Sequence, residues 1–302
     1  MSAMRQQTLA EALAERAVLL DGGLSNQLEA QGCDLSDELW SARLLADAPG
    51  QIEAAHAAYL RAGAEVLITA SYQASFAGFA RRGVSRAEAA RLLRESVALA
   101  RRAAGDRAWV AASVGPYGAV LADGSEYRGR YGLSVAELTA FHRPRVAALV
   151  EAEPDVLALE TVPDATEAEA LLRAVEGTDL PVWLSYTVAG GRTRAGQDLA
   201  DAFAVAAGHP QVIAAGVNCC APQDVQAAVE VAHAVTGLPA VAYPNSGETW
   251  DAPSATWHGG SAYAPEPADG WRKAGARLIG GCCRVGPEQI AALGRRLRAG
   301  GD

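Results

Sequence analysis

One pattern recurs along the chain: a short aliphatic, often β-branched run, a turn containing Gly or Pro, then an Ala- and Leu-rich segment with apolar positions at helical spacing. Short continuous apolar runs between turn residues suit strands buried on both faces, as in a parallel sheet. The pattern predicts eight of them, over Val18–Gly23, Glu65–Tyr72, Trp109–Gly115, Val156–Val162, Pro181–Val188, Val212–Cys219, Pro239–Tyr243 and Ala276–Cys282. Amphipathic helices are predicted over Gln51–Ala62, Ala165–Val175, Asp198–Ala207, Gln223–Val235 and Pro287–Arg298. Two more starts are marked by Ser85 with Glu88 and Ser134 with Glu137, the spacing of a capping box, in which serine and glutamate each satisfy a free backbone donor.

Strands alternating with helices require a parallel sheet with right-handed crossovers, and eight such units close naturally into a (β/α)8 TIM barrel. The α/β class and a single domain over residues 1–302 follow, because no repeat, low-complexity tract or linker interrupts the series and the length is ordinary for one barrel. The competing fold is an open doubly wound sheet. Against it, Gly22-Gly23 is followed by Leu24-Ser25-Asn26-Gln27, without the third glycine of a phosphate-binding fingerprint. Two connections are long, Tyr117–Gly132 and Pro244–Gly270, and both follow strands, on the face where barrel enzymes carry their chemistry.

The candidate chemistry lies at strand ends. The last strand finishes in Gly280-Gly281-Cys282-Cys283, and the sixth in Asn218-Cys219-Cys220. Adjacent cysteines seldom form a disulfide, because the ring is strained away from normal bridge geometry. Three thiolates can meet there and suit a soft or borderline cation such as zinc, leaving a fourth position for water or substrate. The plainer alternative is that some of these cysteines are small core residues, and Cys33, which stands alone, is read that way. The other strand ends supply Asp21-Gly22-Gly23, Thr69-Ala70-Ser71-Tyr72 and Glu160-Thr161. Two acids, three sulfurs and glycine amides suit a zwitterionic amino acid bearing a thiol. Asp21 and Glu160 would take its ammonium, and free N–H groups near Gly22 and Gly23 its carboxylate. Asp21 is equally suited to capping a turn, whereas a glutamate closing the apolar run Val156-Leu157-Ala158-Leu159 is costly to bury without a partner.

A formal net charge of -9 argues against nucleic acid or an anionic membrane as partner and for a small-molecule substrate. Met1 to Gln7 lacks a charged head followed by an apolar run, no later stretch has the length of a membrane span, and the five cysteines form no secreted disulfide framework, so a cytoplasmic location is expected. No heptad seam or edge strand indicates an oligomeric state.

The chain resembles the zinc-dependent homocysteine S-methyltransferase family through LLDGGLSNQLEAQG at Leu19–Gly32, SVGPYGAVLADGSEYRG at Ser113–Gly129, FHRPR at Phe141–Arg145, GVNCC at Gly216–Cys220, YPNSGE at Tyr243–Glu248 and ARLIGGCCR at Ala276–Arg284. It looks most like the members that use S-methylmethionine or S-adenosylmethionine rather than betaine or a corrinoid. The resemblance implies a (β/α)8 barrel, a Zn2+ ion on Cys219, Cys282 and Cys283, and a homocysteine site of Asp21, Gly22, Gly23, Thr69, Ser71, Glu160 and Asn218. Cys220 is not a family ligand, in keeping with the alternation of neighbouring side chains along a strand. The loop after the seventh strand is expected to cover the methyl donor with Tyr243, Asn245, Ser246, Glu248 and Trp250, one of the aromatics Trp250, Trp257 and Trp271 facing the sulfonium. Arg284 has no assigned role beyond pairing with nearby acids or helix ends. S-methylmethionine is expected ahead of S-adenosylmethionine, since no Gly-rich cradle for an adenosine is visible, and betaine is expected to be inactive. Three alternatives stay open: a homocysteine-activating module served by a corrinoid carrier protein, a methyltransferase acting on selenocysteine or another thiol, and a structural zinc or redox store.

Overall fold

The computed structural model describes residues 7–35, 41–251 and 256–299. Its main sheet has eight parallel strands: β1 (Val18–Leu19), β2 (Val66–Ile68), β3 (Trp109–Val114), β4 (Val156–Val162), β5 (Val182–Tyr186), β6 (Val212–Asn218), β7 (Ala240–Tyr243) and β8 (Ala276–Ile279). Each pairs with its sequence neighbour from β2 through β8, and β1 pairs with β8 through Val18 opposite Leu278 and Leu19 opposite Ile279. The ring closes between β1 and β2 by a parallel bridge from Leu20 to Val66, with the Glu65 N–H donating to the Leu19 carbonyl at 2.8 Å and the Asp21 N–H to the Val66 carbonyl at 3.2 Å. A helix follows each strand on the outside: α1 (Pro49–Arg61), α2 (Arg86–Ala104), α3 (Val135–Val150), α4 (Ala165–Val175), α5 (Leu199–Ala204), α6 (Pro222–Thr236), α7 (Pro267–Lys273) and α8 (Pro287–Ala299). The predicted TIM barrel is therefore the observed fold, and the open doubly wound sheet is excluded.

Alternation along the strands divides the apolar residues into two cores. Val18, Leu20, Val66, Ala111, Ala158, Trp183 and Leu278 fill the barrel, whereas Leu19, Leu67, Leu157, Leu159 and Ile279 face the helices. A short helix absent from the sequence prediction, Leu9–Glu15, packs Leu9, Ala12 and Leu13 into the inner core. Its start is a complete capping box: the Glu11 N–H donates to Thr8 Oγ1 at 3.3 Å and the Thr8 N–H to Glu11 Oε2 at 2.7 Å. Ser134 and Glu137 make the same reciprocal pair at the start of α3. At α2 only the serine half forms, with the Glu88 N–H on Ser85 Oγ at 3.2 Å, because the Glu88 carboxylate turns to Arg91 instead.

Predicted boundaries are corrected in β1, β2, α5 and β8, the last of which ends at Ile279 rather than Cys282. The regular strands β1 and β2 end at Leu19 and Ile68 rather than at Gly23 and Tyr72, β1 continuing only as the single Leu20–Val66 bridge before Asp21 turns its side chain in to accept the Ile68 N–H at 2.8 Å. Helix α5 starts one residue late, since Asp198 is its N-cap and accepts the Ala200 N–H at 2.8 Å, and it ends at Ala204. The two long connections also hold regular structure: Tyr117–Leu121 is helical, Ser125–Tyr127 is a 3-10 turn, and Thr249–Asp251 pairs antiparallel with Thr256–His258. Among the described residues no helix is long and apolar enough to cross a membrane.

On α1, His56 is fully buried, neither ring nitrogen has a hydrogen-bond partner, and burial pulls its pKa from 6.5 down to about 4. A depressed histidine gives stability that is complete above the unfolded value and lost as pH falls from about 6.5 to about 4, because the unfolded chain takes up the proton first. The shift corresponds to about 3 kcal/mol. Buried carboxyls raised toward pH 7, such as Glu167, contribute the opposite slope, so the informative quantity is the difference between two proteins. Urea unfolding of wild type and His56→Leu at pH 7 and pH 4.5 should show the variant gaining on wild type as the pH falls. Parallel pH profiles would remove this role from His56.

Candidate active site

The carboxyl ends of the strands open on a cavity of about 130 Å³ lined by Gly22, Gly23, Thr69, Tyr72, Tyr127, Glu160, Thr161, Cys219, Tyr243, Cys282 and Cys283 together with neighbouring residues of the same loops. A volume of this order suits a small amino acid and lies below the range typical of drug-sized ligands.

The sulfurs converge because the backbone is forced into unusual turns. After Asn218 ends β6, Cys219 adopts φ 50°, a left-handed conformation rare without glycine. The turn is held by the Cys219 N–H donating to the Tyr243 carbonyl at 3.2 Å and by Thr187 Oγ1 donating to the Cys219 carbonyl at 3.0 Å. Cys220 then falls into the outer core, fully buried among apolar side chains, and burial pushes its thiol pKa up. On the other side Gly281 allows a close approach, since a Cβ there would lie 2.2 Å from Val285 Cγ1. Cys282 and Cys283 are pinned by the Cys282 N–H to the Pro244 carbonyl at 2.7 Å and the Cys283 N–H to Asn245 Oδ1 at 3.2 Å.

The ligand atoms of Cys219, Cys282 and Cys283 all lie within 4.8 Å of one another, with 3.5 Å between the sulfurs of Cys219 and Cys283. Zinc–sulfur bonds of about 2.3 Å in a tetrahedron place the sulfurs roughly 3.8 Å apart, so the three residues fit such an ion and can hold a metal. Their acidities split without a cation: thiol hydrogen bonds from Cys282 and Cys283 pull Cys219 down, and the Cys219 thiolate pushes the other two up.

Beside the sulfurs lies the acid pair. Asp21 is buried, with Oδ2 satisfied by the Ile68 N–H and Oδ1 without a partner; burial, assisted by the charge of Glu160, raises its pKa well above the usual range. Glu160 accepts from Ser113 Oγ on Oε1 and from Tyr243 OH on Oε2 at 2.9 Å; burial raises it to about 7 against the pull of these two hydrogen bonds. An unpartnered carboxylate oxygen and a carboxyl held near neutrality are what a cationic group would satisfy on entering.

The remaining expected residues divide between lining and bracing. Thr69 lines the cavity, while Ser71 stands behind it, bonded to Thr69 Oγ1 at 2.7 Å and to the Ser113 carbonyl at 2.7 Å. Asn218 is buried and ties β4 to β6: its Nδ2 donates to Thr161 Oγ1 at 2.7 Å, and its Oδ1 accepts the Thr161 N–H at 2.7 Å and Ser185 Oγ at 2.8 Å. Gly22 and Gly23 line the cavity, yet the Gly23 N–H, expected to be free, donates to the Val285 carbonyl at 2.9 Å. In the β7 loop Tyr243 reaches the cavity, but Asn245 holds Cys283, the Ser246 N–H bonds the Cys283 carbonyl at 3.0 Å, and Ser246 Oγ donates to Glu248 Oε2 at 2.6 Å. Arg284 donates to both Glu248 oxygens, at 3.0 and 3.1 Å, and lowers the pKa of that carboxyl. These three polar residues thus clamp the cysteine turn. Trp271 packs in the outer core, away from the mouth, so it is not the aromatic facing a sulfonium. Trp250 and Trp257 sit opposite each other in the ribbon, and their side chains lie outside the described part of the molecule. Sequence reasoning passed over Tyr127, whose hydroxyl lies 3.1 Å from Cys219 Sγ, although it belongs to a loop already marked by its length.

A closed parallel barrel with three convergent thiols and a buried carboxyl in one mouth defines a class: a barrel protein with a site able to hold a metal. The chain belongs to the homocysteine S-methyltransferase family, whose model matches residues 18–297. It is 49% identical over 295 residues to homocysteine S-methyltransferase of Escherichia coli, covering 92% of this chain and 94% of that protein. It is 44% identical over 301 residues to homocysteine S-methyltransferase YbgG of Bacillus subtilis, covering 93% and 95%. Among solved structures, the metallated form of the E. coli homocysteine methyltransferase MmuM superposes with a TM-score of 0.85 at 46% identity, covering 94% of this chain and 98% of that one. The chain is accordingly a homocysteine S-methyltransferase.

Proposed function

We propose that the enzyme moves a methyl group from a sulfonium, S-methylmethionine ahead of S-adenosylmethionine, to the thiol of L-homocysteine, with Zn2+ on Cys219, Cys282 and Cys283. The observation that carries this reading is the adjacency, in one cavity, of three sulfurs and Glu160, with Asp21 buried next to the lining residue Gly22. A zinc ion held there supplies the charge that keeps a substrate thiol deprotonated near neutral pH. Asp21 Oδ1 and the Glu160 carboxylate accept the homocysteine ammonium, which fixes the substrate with its sulfur toward the cysteines. The substrate sulfur attacks the methyl carbon in line; the new carbon–sulfur bond forms as the old one breaks, its electron pair staying on the donor sulfur, which leaves neutral. Homocysteine becomes methionine, and S-methylmethionine becomes a second methionine. The clamp of Asn245, Ser246, Glu248 and Arg284 keeps Cys283 in place while the donor enters over the β7 loop.

Purified, zinc-loaded protein should contain about one zinc per chain and form methionine from homocysteine plus S-methylmethionine with the largest kcat/KM, less with S-adenosylmethionine and none with betaine. Preference for S-adenosylmethionine, or betaine turnover, overturns the donor assignment. Absence of methionine with every free sulfonium would favour a module that depends on a methyl-carrying partner.

A further inference from the structure

Three protein sulfurs and one substrate sulfur would share a single centre, within reach of the same methyl donor. Each protein thiolate is itself a nucleophile, and its alkylation would end the enzyme's life. Something must make the substrate sulfur the better target. Part of that is position, since the donor must lie in line with the attacking atom; part can be electronic, because a hydrogen bond to a thiolate holds the lone pair that would attack.

Cys219 Sγ is, among the described residues, the ligand sulfur with a hydroxyl in reach, that of Tyr127 at 3.1 Å. In the free thiol either atom can donate. Once the sulfur is a metal-bound thiolate it has no proton, so the hydroxyl must donate. The Tyr127 ring lies at the cavity wall, and the Arg194 guanidinium carbon sits 5.4 Å from its centroid. A cation over the ring face draws electron density from it and makes the hydroxyl a stronger donor. Arg194 is poised for this with its Nε buried and lacking a hydrogen-bond partner. Tyr127 reaches the sulfur from the 3-10 turn Ser125–Tyr127, on the β3 loop, so the contact crosses from one side of the mouth to the other.

We propose that Tyr127 is a positioning residue that protects Cys219: by donating its hydroxyl to the Cys219 sulfur it lowers the nucleophilicity of that ligand and leaves the substrate sulfur as the methyl acceptor. The inference rests on the metal reading above but not on the choice of methyl donor. It can therefore be tested with methyl iodide, a small probe with no need of a donor site.

Zinc-loaded wild type and Tyr127→Phe, without homocysteine, would be treated with methyl iodide and the methylated cysteines mapped by peptide mass. In this step the Cys219 thiolate forms a bond to the methyl carbon and iodide leaves with the electron pair. Methylation at Cys219 should be roughly tenfold faster in the variant, the size expected for loss of a hydrogen bond to a charged group, with Cys282 and Cys283 nearly unchanged. Arg194→Gln should move Cys219 the same way by a smaller factor. A second readout needs no alkylation: in the cobalt-substituted protein, the sulfur-to-cobalt charge-transfer band should shift to lower energy in Tyr127→Phe. Equal rates at Cys219 in wild type and variant, with an unmoved band, overturn the proposal. So does a rise spread equally over all three cysteines, which reports a loosened site. If wild type makes no methionine from any sulfonium, the donor assignment fails while the methyl iodide and cobalt results still decide the role of Tyr127.

Discussion

Cys219→Ser, Cys282→Ser and Cys283→Ser should each abolish methyl transfer and empty the metal site, whereas Cys220→Ser should keep most of the activity. A serine hydroxyl stays protonated near neutral pH and ligates zinc weakly, so each of the three changes leaves two thiolates where three converge within 4.8 Å. The loss should exceed the roughly 10- to 100-fold that follows from removing a partner outside the ligand shell. Cys220 differs because the left-handed turn at Cys219 sends it into the apolar layer between strands and helices. Serine there places an unpaired hydroxyl in that layer and should lower stability by about 1–3 kcal/mol without touching the metal. Zinc analysis alongside methionine formation checks all four, and full metal with intact turnover in Cys282→Ser would remove that residue from the site.

Strand alternation separated these neighbours in the sequence, but β6 ends at Asn218 and the separation comes from the left-handed turn at Cys219, which alternation does not encode. The strands β3, β4 and β6 fell within a residue of their predicted ends, since Trp109–Val114, Val156–Val162 and Val212–Asn218 are long runs buried along their length. The shorter β1 and β2 did not. Their apolar pattern continues past the point where Asp21 takes the Ile68 N–H for its own side chain, an interaction between residues 47 apart that no local pattern encodes. The helix Leu9–Glu15 was missed despite readable evidence, as Thr8 and Glu11 have the same S/T-x-x-E spacing recognised at Ser134. Seven residues offer too few turns for a helical period to stand out.

For the candidate site, residue type pointed to the cysteines and Glu160, which the fold brings to one cavity, because few environments tolerate paired thiols or a buried carboxyl. It did not separate lining from bracing. Asn245, Ser246 and Glu248 are polar, lie in a long loop on the right face and so read as donor contacts. Their partners, Cys283 and Arg284, follow 36 or more residues later, and only the fold brings the two loops into register. Arg284, expected only to pair with nearby acids or helix ends, is the counter-ion of Glu248. Tyr127 escaped for the converse reason: a tyrosine in a loop has many ordinary uses, and what distinguishes this one is a sulfur 92 residues away.

Glu160→Gln should raise the KM for homocysteine roughly ten- to hundredfold while changing that for the methyl donor little. The amide preserves shape but cannot carry the negative charge that pairs with an ammonium, and a hydrogen bond to a charged group contributes about 1.5–3 kcal/mol. The environment adds to the effect. Glu160 is buried and accepts from both Ser113 and Tyr243, so its orientation is set before substrate arrives. In the variant the amide NH2 must face one of those hydroxyls, which can turn to accept it, and the site keeps its form while losing its charge. Tyr243→Phe separates form from charge: it removes one of the two hydroxyls that orient the carboxylate yet leaves the carboxylate itself, so the homocysteine KM should rise by a smaller factor than in Glu160→Gln. Steady-state kinetics with each substrate varied at saturating levels of the other measure this directly. Equal effects of Glu160→Gln on both Michaelis constants, or a larger loss in Tyr243→Phe than in Glu160→Gln, would show that Glu160 acts as part of the scaffold and that the ammonium is held by Asp21 alone.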